Sequence, residues 1–224
     1  MPAKITWDGT GERLYETGVD QGVLYVSNGQ GGYGEGVAWN GLTAVNESPE
    51  GAEANALYAD NIKYLNLLSN EEFNFTIEAY TYPDEFGPCI GEVATGTGVT
   101  FSQQARKEFG FSYRTKIGND TDGDAHGYKL HLVYGCLASA VEKDHNTIND
   151  SPEAETFSFD VTTTPVSVDD ISVSGVTKPV AHLVIDSTVA NSTKLEAFEA
   201  MIYGSSSSSA FLPTLAQVIS AFAS

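Results

Sequence analysis

The feature that most limits what this chain can become is a period-two alternation of apolar and polar side chains, repeated in five separate segments. Phe73, Phe75, Ile77 and Ala79 alternate with Asn74, Thr76, Glu78 and Tyr80. Successive side chains of a strand point to opposite faces, so such a segment buries one face and leaves the other in water. The pattern recurs at Phe109, Phe111 and Tyr113, at Leu130, Leu132 and Tyr134, at Phe157, Phe159 and Val161, and at Ala181, Leu183 and Ile185. Five such strands predict an antiparallel β-sandwich or barrel.

The stretches Val23 to Val26 and Val37 to Val45 also read as extended, with the glycine-dense segment Asn28 to Gly36 between them as a long, mobile loop. One region has helical spacing with a start signal: Ser192 or Thr193 caps a helix that carries Leu195, Phe198 and Ile202 on one face, and Gly204 ends it. After the serines of Ser205 to Ser209, a second short helix is expected from Pro213, with Leu215, Val218, Ile219 and Phe222 on a common face, as a C-terminal docking arm. The expected fold is therefore mainly β, an antiparallel sandwich or barrel with one flanking α-helix and extended loops. At 224 residues it fits a single domain, 1–224, with a loop-rich N-terminal arm over about residues 1–36 and a C-terminal arm over about 205–224.

Thirty Asp and Glu against eleven Lys and Arg give a net charge of −19. Between Leu14 and Ala105 thirteen acidic residues face one basic residue, Lys63, whereas Arg106, Lys107, Arg114 and Lys116 cluster just beyond. Affinity for nucleic acid comes from Lys and Arg displacing counterions, so such a surface argues against a sequence-reading DNA-binding protein. It suits a wall past which a duplex slides without sticking, and it also suits plain solubility. The first residues, Met1 to Glu12, show neither a basic region nor an apolar run, and cytoplasmic synthesis is expected. In that compartment Cys89 and Cys136 read as reduced thiols.

Motifs that would carry chemistry fail in their context. Gly29, Gly31 and Gly34 satisfy GxGxxG, but Glu35 to Gly41 is too rich in turn formers to be the helix that a dinucleotide site requires. Asp120, Asp122 and Asp124 have the spacing of a calcium loop, yet Ala125 stands where glycine is needed and no glutamate closes the loop, so an acidic turn is the better reading. Gly31 to Glu35 half-resembles a calcium-binding β-roll repeat but occurs once. His126, His131, His145 and His182 lack zinc-protease spacing, and neither a nucleophile elbow nor a phosphate loop is present. Glu78, Asp84 and Glu85, near Tyr80, Tyr82 and Phe86, leave a glycoside-hydrolase pair open on sequence alone. No catalytic, cofactor-binding or metal-ligating residue is assigned, and no cofactor is expected.

Asn46 to Glu53 echoes Asn149 to Glu155, each an acidic Ser-Pro turn ahead of an extended segment. The blocks Ser48-Pro49-Glu50-Gly51-Ala52-Glu53, Leu57-Tyr58-Ala59-Asp60-Asn61-Ile62-Lys63-Tyr64, Thr76 to Pro83, Phe109 to Thr115 with Gly118 to Asp120, Tyr128 to His131, and Ser151 to Ala154 with Thr163 to Val166 resemble the major tail proteins of siphophages over about residues 36 to 205. The resemblance implies a β-sandwich subunit that closes into hexameric rings, stacked into a hollow tube through which genome DNA passes. It implies as partners further copies of the chain, a tape measure protein and a tail terminator or distal tail protein, in the virion tail, with no active site. On this reading acidic residues line the lumen, and Arg106, Lys107, Arg114 and Lys116 meet a neighbouring subunit. Asn28 to Gly36, Ala44 to Asn55 and Pro83 to Gly98 are expected to carry ring-stacking contacts. The alternative is a β-sandwich glycan-binding or adhesion module of a phage tail or cell surface.

Overall fold

The computed structural model describes residues 4–148, 150, 154–168, 171, 173 and 175–223. In chain order the first strands are β1 (Tyr15–Ser27), β2 (Tyr33–Trp39), β3 (Leu42–Glu47), β4 (Glu50–Gly51), β5 (Ala54–Ala59), β6 (Ile62–Leu68), β7 (Glu71–Glu72) and β8 (Asn74–Ala79). A 3-10 segment, Asp84–Cys89, leads to β9 (Val93–Ala94), β10 (Thr100–Phe101), β11 (Phe109–Asn119), β12 (Gly123–Ala138), β13 (Phe157–Thr163) and β14 (His182–Asp186). Two helices follow, α1 (Ser192–Ile202) and α2 (Leu215–Phe222).

One antiparallel sheet dominates, in the order β2-β1-β11-β12-β13-β8-β3, with β14 also paired to β12. The sheet curls until its end strand β3 returns against β1: a Cβ on Gly22 would lie 2.4 Å from Leu42 Cδ1. Two cores result, one inside the curl and one beneath the helices. Inside, Trp39, Phe75, Phe86, Phe111 and Phe159 form a contact set with ring centroids 4.5 to 6.1 Å apart. On the other face, Val23, Tyr25, Leu130, Leu132 and Tyr134 pack against Leu195, Phe198, Ile202, Leu215 and Val218.

The five alternating segments are all strands, and the expectation of half-buried strands holds for β8, β13 and β14 but not for β11 and β12. The central strands β1, β11 and β12 are buried on both faces in their middle portions, because the helical layer covers the side that alternation alone would leave in water. Tyrosine tips supply the polar link between layers. Tyr25 OH donates to the Ile202 carbonyl at 2.7 Å, at the end of α1 where helix carbonyls lack partners, and Tyr134 OH donates to the Pro213 carbonyl at 2.9 Å. Tyr128 OH donates to Glu199 at 2.6 Å on the flank of α1.

Several boundaries differ from those read in sequence. The long loop expected at Asn28 to Gly36 is a short turn, because Tyr33 to Gly36 already belong to β2, zipped onto β1 through Tyr25 and Gly36. The residues assigned to an N-terminal arm include β1, a central strand of the sheet. The helix cap is Asn191, one residue before the expected Ser192, its side chain accepting from Lys194 N. The second helix forms as expected, with a capping box at Thr214 and Gln217, but Leu215 and Val218 face the chain's own core rather than a neighbour. Asp84–Cys89 buries Phe86 completely, so the first half of the supposed loop Pro83 to Gly98 is core. Likewise Leu42–Glu47 takes Ala44 to Glu47 out of the loop expected at Ala44 to Asn55. Most of the second acidic Ser-Pro turn, including Ser151 to Glu153, lies outside the described residues. Both cysteines are buried free thiols, and burial pushes Cys89 up to about 12.

Strand β12 changes partner at Gly135, pairing with β14 over Lys129 to Val133 and with β13 from Cys136. Gly135 has φ +60°, donates its N–H to Tyr33 OH at 2.8 Å, and would place a Cβ 2.2 Å from the Thr164 carbonyl oxygen. Gly135→Ala should cost about 3 kcal/mol, from left-handed strain and a clash with backbone that cannot swing away. A lowered urea midpoint at unchanged slope would show it; an unchanged midpoint would mean the corner relaxes freely.

Candidate functional site

The most exposed apolar surface is the hairpin β5–β6. It forms a two-stranded sheet of its own, separate from the main one, and turns at Asp60 and Asn61, whose φ values of +51° and +64° suit a tight hairpin turn. A bulge between Leu57 and Tyr58 adds twist. Tyr58, Ile62, Tyr64 and Leu68 are each more than 60% exposed, and Leu57, Leu65 and Leu67 are exposed as well. Strands of this length reach about 20 Å. At the foot, β4 pairs with β7, so Glu50, Glu71 and Glu72 meet there with Glu53 close by in sequence, and Ser69 N donates to the Glu53 carbonyl at 3.1 Å. An isolated two-stranded ribbon is at best marginal in water, and monomeric proteins rarely expose contiguous apolar surface of this kind.

Two smaller exposed patches accompany it. The ribbon β9–β10 presents Val93, Val99 and Phe101, and the segment before β1 presents Ile5, Trp7 and Leu14. Of the three segments expected to make contacts between subunits, the turn at 28–32, the run 48–55 leading into the hairpin, and the part of Pro83 to Gly98 from Val93 onward remain on the surface. Sequence reasoning missed the hairpin itself. Its signal was available: Leu57, Tyr58, Ile62, Tyr64, Leu65, Leu67 and Leu68 lie on both faces of two strands joined by Asp-Asn.

The basic cluster divides. Arg114 forms a two-pronged ion pair with Asp20, at 2.7 and 3.0 Å, and lies over the Tyr128 ring at 4.8 Å. Lys116 is 3.5 Å from Asp124, and Arg106 donates to the Ala138 carbonyl at 2.7 Å. These three are engaged within the chain, whereas the Lys107 side chain is exposed.

The supposed calcium carboxylates diverge around the turn from β11 to β12. Asp120 accepts from Gly11 N at 2.9 Å, Asp122 lies 3.2 Å from His126, and Asp124 faces Lys116. The last glycine of the GxGxxG pattern, Gly34, already lies in strand β2, so a strand stands where the helix would be needed. Glu78 accepts from Asn46 at 3.0 Å, while Tyr82 and Phe86 pack in the inner core rather than beside a groove.

Two of the four histidines come together. His131 on β12 and His182 on β14 lie side by side, with His131 Nδ1 3.0 Å from His182 Nε2 and the rings nearly parallel. Glu47, the last residue of β3, places Oε1 3.4 Å from the same His131 nitrogen. Tyr113 OH donates to that Oε1 at 2.7 Å, and Thr115 Oγ1 is 3.0 Å from His131 Nε2. Burial pushes His131 down to about 4 and lowers His182, so both rings are neutral near pH 7. The rings also close an aromatic circuit with Phe73, Phe75, Phe111 and Tyr113.

No protein-family model matches the chain, and no curated protein matches it in sequence. Among solved structures it is similar to a chain of the sheath–tube complex, in the extended state, of an extracellular contractile injection system (PVC). The match covers 74% of this chain and 88% of that one, at 9% identity and a TM-score of 0.30. So loose a superposition carries no inference about family or function.

The divided basic cluster generates a contrast. Arg114→Lys should lower stability by about 1 kcal/mol, since an ammonium neither forks onto Asp20 nor stacks on Tyr128. Lys107→Glu should stay within about 0.5 kcal/mol. Thermal melts of the two variants side by side check this, and equal effects would mean that the Asp20 pair adds nothing.

Proposed function

We propose that the chain is a structural subunit of a virion tail, which polymerises as stacked rings into a hollow tube of the siphophage type. The observation that carries this reading is the β5–β6 hairpin, an apolar strand pair projecting from a strongly acidic protein with no cover of its own. A second copy is the natural occupant, since a repeating contact between one patch and a different patch on the next subunit generates rings and then filaments. The sequence block Leu57 to Tyr64, which carries part of the resemblance to major tail proteins, falls on this hairpin.

The rest of the surface fits the same role. Main-sheet strands β2 and β3 end the strand order, but β3 returns against β1 and β2 is bonded through Gly36 N to the Ala210 carbonyl, so the hairpin rather than a sheet edge is the surface offered to a neighbour. A net charge of −19 suits a lumen past which DNA moves without adhering. The groove between β1 and the end of α1, bounded by Val19, Trp39, Leu42 and Tyr203, contains Asp20, which is already bound to Arg114, so its carboxylate is occupied. The chain acts by assembly rather than by catalysis, with tape measure and terminator or distal tail proteins as further partners.

Electron microscopy of the purified protein at rising concentration tests the reading. Hollow tubes of uniform diameter are expected from the intact chain. The variant Tyr58→Asp, Ile62→Asp and Leu67→Asp should keep its circular dichroism spectrum and melt, because all three side chains are exposed, yet remain monomeric. Tubes formed equally well by the variant would remove the hairpin from the interface. A chain that stays monomeric under every condition and instead binds polysaccharide would replace this reading with an adhesion module.

A further inference from the structure

We propose that Glu47, His131 and His182 form a binding site for a divalent transition-metal ion of the Zn²⁺ class. The three residues come from β3, β12 and β14, and their ligand atoms, Glu47 Oε1, His131 Nδ1 and His182 Nε2, all lie within 4.8 Å of one another. Two of the separations are 3.0 and 3.4 Å. Zinc bonded at its usual length to nitrogen and oxygen in a tetrahedron keeps its ligands about 3.3 Å apart, so an ion fits between these atoms with small adjustments. Two imidazoles and one carboxylate are a ligand set that zinc takes in sites with an open fourth position. Glu47 is partly exposed, which puts that position on the solvent side, where water completes the shell.

The surroundings are those of a built site. A ligating imidazole is normally oriented by a hydrogen bond from its other nitrogen, and a ligating carboxylate by a donor on one oxygen. His131 Nε2 has Thr115 Oγ1 at 3.0 Å, and Glu47 Oε1 has Tyr113 OH at 2.7 Å. His131 is held face to face with Tyr113 and His182 with Phe73, with ring centroids 4.4 and 4.2 Å apart.

The ion would act as a clip. Strand β3 ends the main sheet and β14 is a branch off β12, and neither hydrogen-bonds to the other. A metal held by all three would fasten the curl of the sheet shut at the end where β3 leads into the projecting hairpin. The inference stands apart from the assembly reading, because it is measured on the isolated subunit and would survive that reading's failure.

Co²⁺ serves as a visible probe and Zn²⁺ as competitor, on full-length protein freed of metal with a chelator. The expected result is saturable four-coordinate Co²⁺ absorption displaced by Zn²⁺, with a higher melting temperature in Zn²⁺. Glu47→Gln, at an exposed position that should not disturb folding, and His182→Gln should each weaken Co²⁺ binding about a hundredfold or more. Tyr113→Phe, which leaves the ligands in place, should weaken it about 10- to 100-fold. The double variant His126→Gln and His145→Gln should bind as the parent does. Absence of the absorption, unchanged affinity in folded Glu47→Gln and His182→Gln, or loss in the His126 and His145 variant instead, would overturn the proposal and leave His131 and His182 as a hydrogen-bonded pair within the aromatic core.

Discussion

Burial of β1, β11 and β12 on both faces is the constraint on which the rest of the structure depends. A sheet with one wet face needs only a single covering layer, but here Leu24 and Phe111 point into the curl while Tyr25 and Leu132 point under the helices. Each side chain of a size such as Phe or Leu contributes about 2 kcal/mol when removed from water. Both coverings must therefore form together, the far strands β13, β8 and β3 on one side and α1 with α2 on the other. The tyrosine hydroxyls that reach from sheet to helix ends fix where the second layer sits, because a buried hydroxyl without a partner is costly.

With both faces of the central strands closed, most of the exposed large apolar side chains among the described residues lie outside the main sheet. The β5–β6 hairpin, the β9–β10 ribbon and the segment before β1 all lie outside the main sheet. That separation has a physical consequence: exposed side chains of the hairpin can be replaced with little effect on folding, whereas substitutions at Phe86 or Gly135 act on folding first. The net charge of −19 works in the same direction, since like charges on two copies repel and oppose contact through exposed leucines and tyrosines.

The histidine pair is the place where the two halves of the sheet meet. His131 and His182 are 51 positions apart, and Glu47 is 84 positions before His131, so the three converge only because β12 bonds β14 while the curl returns β3 to its neighbourhood. The same closure sets Tyr113 against Glu47 and leaves the carboxylate held at one oxygen.

What the sequence determined by itself was local. Alternation at Phe73 to Ala79 or Phe157 to Val161 is a property of neighbouring residues, as is the spacing of Leu195, Phe198 and Ile202, and these elements appear where they were read. Net charge and the failure of the GxGxxG and aspartate motifs are equally local, since each depends on residues a few positions away. Tertiary structure decided which strands would be covered twice, that Tyr15–Ser27 would enter the sheet's interior rather than form an arm, and that α2 would fold back onto its own chain. It also decided that Leu57 to Leu68, as apolar as any core strand, would be left outside, and that two unremarkable histidines would share a site with a glutamate. Periodicity reports which face of a strand is apolar, but only the path of the chain determines what, if anything, will lie against it.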